Sequence, residues 1–72
     1  MNLQWQNRPG NGADYYNVDT GVRVGCINMD NMGNCIALSR NEDGSWTQIG
    51  DSQTLYYIEA KRLVEVTAIL TH

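Results

Sequence analysis

The stretch VRVGCINMDNMGNCIALS, residues 22–39, decides the fold, because two apolar runs in it flank a polar segment that contains a glycine. The first run, 22–29, predicts a strand whose residues alternate between two faces. The second run, 34–39, predicts its antiparallel partner, so the polar segment between them is expected to be the turn of a hairpin. On the first strand, one face is expected to hold Val22, Val24 and Cys26, and the other Arg23, Gly25 and Ile27.

The polar turn of this hairpin also has some of the oxygen-bearing residues of a calcium loop. A loop of the EF-hand type needs oxygen ligands at fixed positions between two helices. If Asn28 is the first ligand, Met32 and Ser39 fall at two of the required positions, and the flanks are strands. Zinc would need two more ligands beside the cysteines, and the single histidine is the last residue, His72. No metal is therefore expected.

The two cysteines of the hairpin leave two registers open. A turn centred on Asp30-Asn31 places Cys26 opposite Cys35, whereas a turn centred on Asn31-Met32 places Cys26 opposite Ala37 and disfavours a disulfide. Cytoplasmic proteins rarely keep disulfides, and free cysteine behaves as a small apolar residue. Two reduced, mostly buried cysteines are therefore expected.

Strand and turn patterns continue on both sides of the hairpin. LQWQN at 3–7 alternates apolar and polar residues, YYNV at 15–18 is a second strand candidate, and the breaker-rich stretch 8–14 predicts a loop between them. After the hairpin, NEDG at 41–44 predicts a turn whose glycine has positive φ, and SWTQIG at 45–50 predicts the next strand. The spacing is typical of an antiparallel meander.

The pattern changes at Asp51-Ser52, which predicts the N-cap of a helix. Beyond Glu65 the sequence fits either a continued helix or a strand over 65–70. Ile58 and Ile69 project away from the core side of the helix and suggest a contact surface. We therefore predict an α+β fold, a small antiparallel β-sheet of four to five strands packed against one C-terminal α-helix. The core side of the helix is expected to hold Tyr56, Tyr57, Ala60, Leu63, Val64 and Thr67.

Length and composition predict one globular domain over residues 1–72. Hydrophobic residues make up 42% and charged residues 18%, a balance typical of folded chains. The start, MNLQWQNRPG, lacks the basic and apolar regions of a signal peptide, and no apolar run approaches the ~20 residues of a membrane span. A soluble, cytoplasmic protein without membrane contact is expected.

The net charge of −3 argues against generic nucleic-acid binding. Such binding normally depends on a basic stripe that neutralises phosphates, and the five basic residues form no stripe along the chain. Three arginines could nevertheless converge on one face of the sheet. An anionic surface is better suited to a protein partner that has a basic surface.

No group of residues predicts catalysis or cofactor binding. The serines have no neighbouring histidine, and the adjacent carboxylates Glu42 and Asp43 fall in a solvated turn. GNG at 10–12 lacks the lysine and the strand–loop–helix setting of a phosphate loop. We therefore expect a protein that is not an enzyme and has no cofactor.

Binding surfaces are suggested instead by aromatic and acidic residues. Tyr15 and Tyr16 are adjacent, so on a strand they point to opposite faces and at least one is expected to be exposed. One helix covers one face of a sheet, and the other face is either solvated or bound to a partner. The residues expected to contact a protein partner or a second copy in a homodimer are Asp14, Tyr15, Tyr16, Asp19, Glu42, Asp43, Ile58 and Ile69.

The order of motifs from LQW through YYNV and GSWTQIG to LYYIEAKRLVE resembles a recurrent type of short phage and prophage protein. In size, charge and lack of catalytic residues the chain is also similar to anti-CRISPR proteins. This resemblance implies a non-enzymatic protein-binding module of a phage or mobile element, acting in the host cytoplasm as a stoichiometric inhibitor of a defence complex. The same outline resembles the arm-type DNA-binding domains of tyrosine integrases, which implies a sheet-mediated DNA-binding or regulatory domain. A self-associating structural module is the third hypothesis.

Overall fold

The computed structural model describes residues 2–50 and 56–71 of the chain. Five antiparallel strands form one sheet there, and their order across the sheet is the same as their order along the chain. A helix follows the last strand, which confirms the predicted α+β fold class. The elements are β1 (Leu3–Arg8), β2 (Gly12–Asn17), β3 (Val22–Met29), β4 (Cys35–Arg40), β5 (Trp46–Ile49) and α1 (Tyr57–Thr71).

The hairpin between β1 and β2 is tighter than the sequence predicts. The expected loop over 8–14 is reduced to residues 9–11. Gly12 allows the early start of β2, because its φ is 130° and the carbonyl group of Ile27 lies where a side chain would be. Arg8, the last residue of β1, donates a hydrogen bond from Nη2 to the same carbonyl oxygen at 2.8 Å.

The central hairpin of β3 and β4 follows neither of the two registers considered from the sequence. Cys26 pairs with Leu38, and Cys35 pairs with Met29. The two cysteines therefore lie on opposite faces of the sheet, and both are buried free thiols, as expected.

The turn of this hairpin explains the register. The Asp30 carboxylate accepts hydrogen bonds from the backbone amides of Met32 and Asn34, each at 2.9 Å. Gly33 has a φ of 85°, which only glycine adopts easily. The carboxylate is thus used to close a turn that is longer than either register assumed.

A β-bulge between β2 and β3 changes the faces predicted for β3. Tyr15 pairs with Gly25 and Tyr16 pairs with Arg23, so Val24 is an extra residue between two consecutive pairs. The predicted alternation is wrong here, since Arg23 lies on the face opposite to Gly25, and Val24 is part of the core.

The helix α1 continues to Thr71, so the helical alternative for residues 65–70 is correct and the strand alternative is wrong. The predicted N-cap, Asp51-Ser52, lies outside the described residues. Tyr56 precedes the helix and is 75% exposed, so its predicted place in the core is wrong. Among residues 2–50 and 56–71 there is no helix long and apolar enough to cross a membrane.

Small side chains let α1 lie close to the sheet. Ala60, Val64 and Ala68 form the buried side of the helix, and Val64 lies directly over Gly25. A Cβ at Gly25 would overlap the Val64 side chain, so glycine is required for this distance. The core fills the space between this side of α1 and one face of the sheet, and its buried members are Tyr15, Val24, Ile27, Cys35, Ala37, Ala60, Val64 and Ala68.

Candidate interaction surface

The sheet face opposite α1, which we call the open face, is not covered by any element of the described chain. Three arginines and one aspartate lie there, so this face has a net positive charge although the whole chain has a net charge of −3. The strand register places the following side chains on it: Gln4, Gln6, Arg8, Asp14, Tyr16, Arg23, Cys26, Asn28, Leu38, Arg40, Trp46 and Gln48.

A buried carboxylate lies between two of these arginines. The Asp14 side chain is only 7% exposed, and its Oδ1 is 3.3 Å from Nε of Arg8 and 3.2 Å from Nη1 of Arg23. Arg23 donates a hydrogen bond to Asp14, whereas the contact from Nε of Arg8 is an ion pair without hydrogen-bond geometry. Nη2 of Arg8 instead donates to Ile27 O and to Oδ1 of Asn28. Two cations therefore share one anion.

Trp46 on β5 contacts the Arg23 guanidinium of β3 across the intervening strand β4. The guanidinium carbon lies 5.0 Å from the centroid of the indole ring, a cation–π geometry. A groove of about 230 Å³ opens beside this pair. It is lined by Arg8, Arg23, Cys26, Asn28, Leu38 and Trp46.

Cys26 lines this groove but is not an activated nucleophile. Burial raises the pKa of its thiol, and the positive charges of Arg23 and Arg8 oppose this only in part. The thiol is therefore protonated at neutral pH, when a reactive cysteine would be a thiolate.

Four of the residues expected to contact a partner lie at or near one end of the sheet, namely Tyr16, Asp19, Glu42 and Asp43. The turns 18–21 and 41–45 lie side by side there, about 10 Å apart at the usual strand spacing. We call this the acidic end, defined by Asp19, Glu42 and Asp43, all of which are exposed. Hydrogen bonds from Ser45 and the charge of Arg40 lower the pKa of Asp43, so its carboxyl group is ionised at neutral pH.

Tyr16 connects the acidic end with the open face. It is half-buried near the end of β2 and lines a shallow groove of about 510 Å³. The same groove is lined by Gln4, Gln6 and the exposed Val18, which lies next to Asp19. Aromatic and apolar groups are thus combined in a groove that ends beside the charged Asp19.

Asp14 and Tyr15 do not belong to this area of accessible contact residues. Asp14 is buried in the arginine network described above. Tyr15 is 9% exposed, and its ring centroid lies 4.6 Å from that of Trp5 inside the core. Burial, followed by the negative charge of Glu65, raises the pKa of the Tyr15 hydroxyl. Tyr16 is therefore the more accessible member of the tyrosine pair.

Ile58 and Ile69 are exposed as predicted, but on the other side of the molecule. They lie on the solvent side of α1 with 70% and 75% of their surfaces accessible. Val66 and Leu70 are exposed on the same side of the helix, at 49% and 79%. The apolar surface of α1 is therefore separated from the open face by the whole thickness of the domain.

The sequence indicated Arg23 only as a residue of the DNA-binding alternative, and it did not bring Arg8, Arg23 and Trp46 together in one site. Strict alternation placed Arg23 on the face of Gly25, and only the bulge reverses that assignment. The breaker-rich stretch 8–14 predicts a loop, whereas Arg8 belongs to β1. The sole indication in the sequence was that three arginines could converge on one face of a sheet.

Comparison with known proteins gives no relative from which residue roles could be transferred. No family model, no curated protein and no solved structure matches the chain. Among the described residues no three histidine, cysteine or acidic side chains are close enough to hold a metal ion. The chemistry of the open face and of the acidic end therefore provides the indication of function.

Proposed function

We propose that the protein is a non-enzymatic protein-binding module of a phage or other mobile element. It acts stoichiometrically by occupying the surface of a partner in the cytoplasm of the host, with a defence complex as the expected target, and it needs no cofactor. The observation that carries this proposal is the position of Tyr16, Asp19, Glu42 and Asp43, which the meander brings to one accessible end of the sheet.

The chemistry of this area supports a protein partner. Aromatic residues and arginine are enriched in the centres of protein interfaces, and charged groups at the rim give orientation and specificity. Tyr16 and Trp46 provide aromatic surface, and Asp19 and Glu42 provide exposed negative charge beside it. The partner is expected to present a basic surface to the acidic end.

Affinity capture tests this proposal. The tagged protein is incubated with a lysate of the host or a related bacterium, with and without nuclease. A partner protein that is captured in equal amount after nuclease treatment, and is reduced by Glu42→Lys but not by Glu59→Lys, is the expected result. Both substitutions reverse one exposed negative charge, but Glu59 lies on α1. Loss of the captured protein on nuclease treatment would contradict the proposal.

The second candidate function is sheet-mediated nucleic-acid binding, and the three arginines on the open face favour it. It predicts that Arg40→Ala lowers affinity for duplex DNA and makes the dependence on salt concentration less steep by about one charge. Fluorescence anisotropy with labelled DNA at several salt concentrations measures both quantities. The absence of salt-dependent binding by the unmodified protein would reject this candidate.

We also propose that a second copy of the chain is a partner, through the exposed apolar side of α1. Ile58, Val66, Ile69 and Leu70 are exposed on that side, with Glu59 and Arg62 between them, and a group of large exposed apolar side chains is typical of a contact region. This homodimer uses a different surface from the acidic end, so both partners can bind at once.

A further inference from the structure

We propose that the groove beside Arg23 and Trp46 binds a carboxylate side chain, aspartate or glutamate, of the protein partner. The inference rests on the proposed function and specifies a second point of recognition. The acidic end selects basic groups of the partner, and this groove selects an acidic group next to them.

The bulge at Val24 is the first observation that supports a site. Without the extra residue, Arg23 would share the face of Gly25 and lie under α1. The bulge instead places Arg23 on the open face, opposite Tyr16. Bulges are frequent where a side chain must be redirected toward a functional surface.

The charge balance of the network is the second observation. Asp14 supplies one negative charge to two guanidinium groups, and Arg8 is further engaged by Ile27 O and Asn28. Arg23 gives only Nη1 to Asp14, and its side chain is 41% exposed. Its remaining N–H groups form an edge that fits a carboxylate in a bidentate arrangement, and a second carboxylate would neutralise the network.

The position of Trp46 is the third observation. The cation–π contact with the indole restrains the Arg23 guanidinium before a ligand arrives, which lowers the entropy cost of binding. The same contact occupies part of the indole surface that a nucleobase would otherwise use. The nearby acidic end repels a chain of phosphates, whereas a single carboxylate beside basic groups is tolerated. A protein side chain is therefore the occupant that these charges favour.

Nuclear magnetic resonance with a defined probe tests the proposal. The probe is a peptide with blocked ends in which one glutamate is flanked by lysines, added to ¹⁵N-labelled protein at low salt. The Nε–H resonance of Arg23 and the indole N–H resonance of Trp46 are expected to shift together, and the shifts are expected to saturate with peptide concentration.

Arg23→Lys keeps the charge but loses the planar fork, so it is expected to weaken peptide binding about fivefold or more. Arg62→Lys on the exposed side of α1 is the matched control and is expected to bind as the unmodified protein does.

Trp46→Leu provides a second variant that leaves the ion pairs with Asp14 intact. It is expected to weaken binding of the peptide severalfold, because the guanidinium loses its contact with the indole ring.

Equal affinities of Arg23→Lys and Arg62→Lys for the peptide, or no saturable shift at Arg23 and Trp46, would overturn the proposal. Tighter binding of inorganic phosphate or of a thymidine hexanucleotide at the same resonances would also overturn it and would favour nucleic acid. Capture of a nuclease-resistant partner without any peptide binding would reject the groove but not the protein-binding function. Peptide binding without a captured partner would reject that function instead.

Discussion

Asp14 links the core to the open face at the scale of a single residue. Its strand neighbours Ala13 and Tyr15 face the core, whereas its carboxylate lies between Arg8 and Arg23 on the other side. A buried carboxylate without cations would be strongly unfavourable, and two half-exposed cations without it would repel each other. Asp14 was expected to contact a partner, but its position suits it to orient the arginines instead.

Asp14→Asn is therefore expected to reduce the free energy of unfolding by about 1–3 kcal/mol. This loss is smaller than that for a fully buried ion pair, because both arginines are partly exposed and water screens their charges. Urea denaturation followed by tryptophan fluorescence measures this change. Asp19→Asn, an identical substitution at an exposed turn, is the control and is expected to have little effect. Equal stabilities of the two variants would show that the network does not stabilise the fold.

Gly25 sets the distance between the sheet and the helix. Gly25→Ala would place a methyl group against the Val64 side chain and is expected to cost about 1–3 kcal/mol of stability. Val64→Ala makes room for that methyl group, so the double variant is expected to lose less than the sum of the two single losses. Thermal or urea unfolding of all four proteins gives the coupling energy. Strict additivity would contradict the direct contact between these two positions.

At the scale of elements, most of the fold was predictable and the exceptions have physical reasons. The apolar runs 22–29 and 34–39 and the glycine-containing turns predicted the meander, although the bulge breaks the strict alternation of faces expected in 22–29. The bulge at Val24 was not predicted, although the adjacent Gly25 is of a residue type that often marks a bulge or a close approach of another element. The continuation of α1 beyond Glu65 was ambiguous because β-branched residues suit strands, and the packing of Ala68 against the core decides it.

The turn between β3 and β4 gives a pH-dependent prediction. The backbone amide of Asn34 makes the largest contribution to lowering the pKa of Asp30 from 3.8, with further hydrogen bonds from Met32, the Asn34 side chain and Gly33. A carboxyl group whose pKa is lower in the folded state stabilises the fold above its unfolded pKa and loses this effect as pH falls through the folded value. Asp30→Asn is thus expected to be less stable than the unmodified protein at pH 7, and the difference is expected to shrink below about pH 4. Urea unfolding at pH 7, 4 and 2.5 measures this, and a difference independent of pH would contradict the assignment.

The exposed side of α1 gives the prediction for self-association. Ile69→Asp is expected to abolish the proposed homodimer at concentrations where the unmodified protein forms it, with little change in stability because the side chain is 75% exposed. Val18→Asp replaces another exposed apolar residue, but at the β2–β3 turn, and serves as the control. Sedimentation velocity measures the distribution of species. A monomeric unmodified protein at all concentrations would reject the homodimer.

At the scale of the whole molecule, positive and negative charges are concentrated in adjoining regions, and Arg40 of the open face acts on Asp43 of the acidic end. The chain has a net charge of −3, yet its open face is positive and its acidic end is negative. This distribution arises because the order of the strands in the sheet, and not distance along the sequence, determines which residues become neighbours. Asp19 and Glu42 are far apart in sequence, yet the meander returns both turns to the same end of the sheet. The acidic residues of the candidate site, Asp19, Glu42 and Asp43, were therefore predictable from the sequence. The groove beside Arg23 and Trp46 could not be predicted without knowing the strand register.

The central claim is that the acidic end and the adjoining open face bind one protein partner. The most direct measurement is isothermal titration calorimetry of the captured partner with the unmodified protein, Glu42→Lys and Glu59→Lys. A stoichiometry of one partner per chain, with affinity about tenfold lower for Glu42→Lys and unchanged for Glu59→Lys, is the predicted result. Equal affinities for all three proteins would contradict the claim that the acidic end is part of the binding surface.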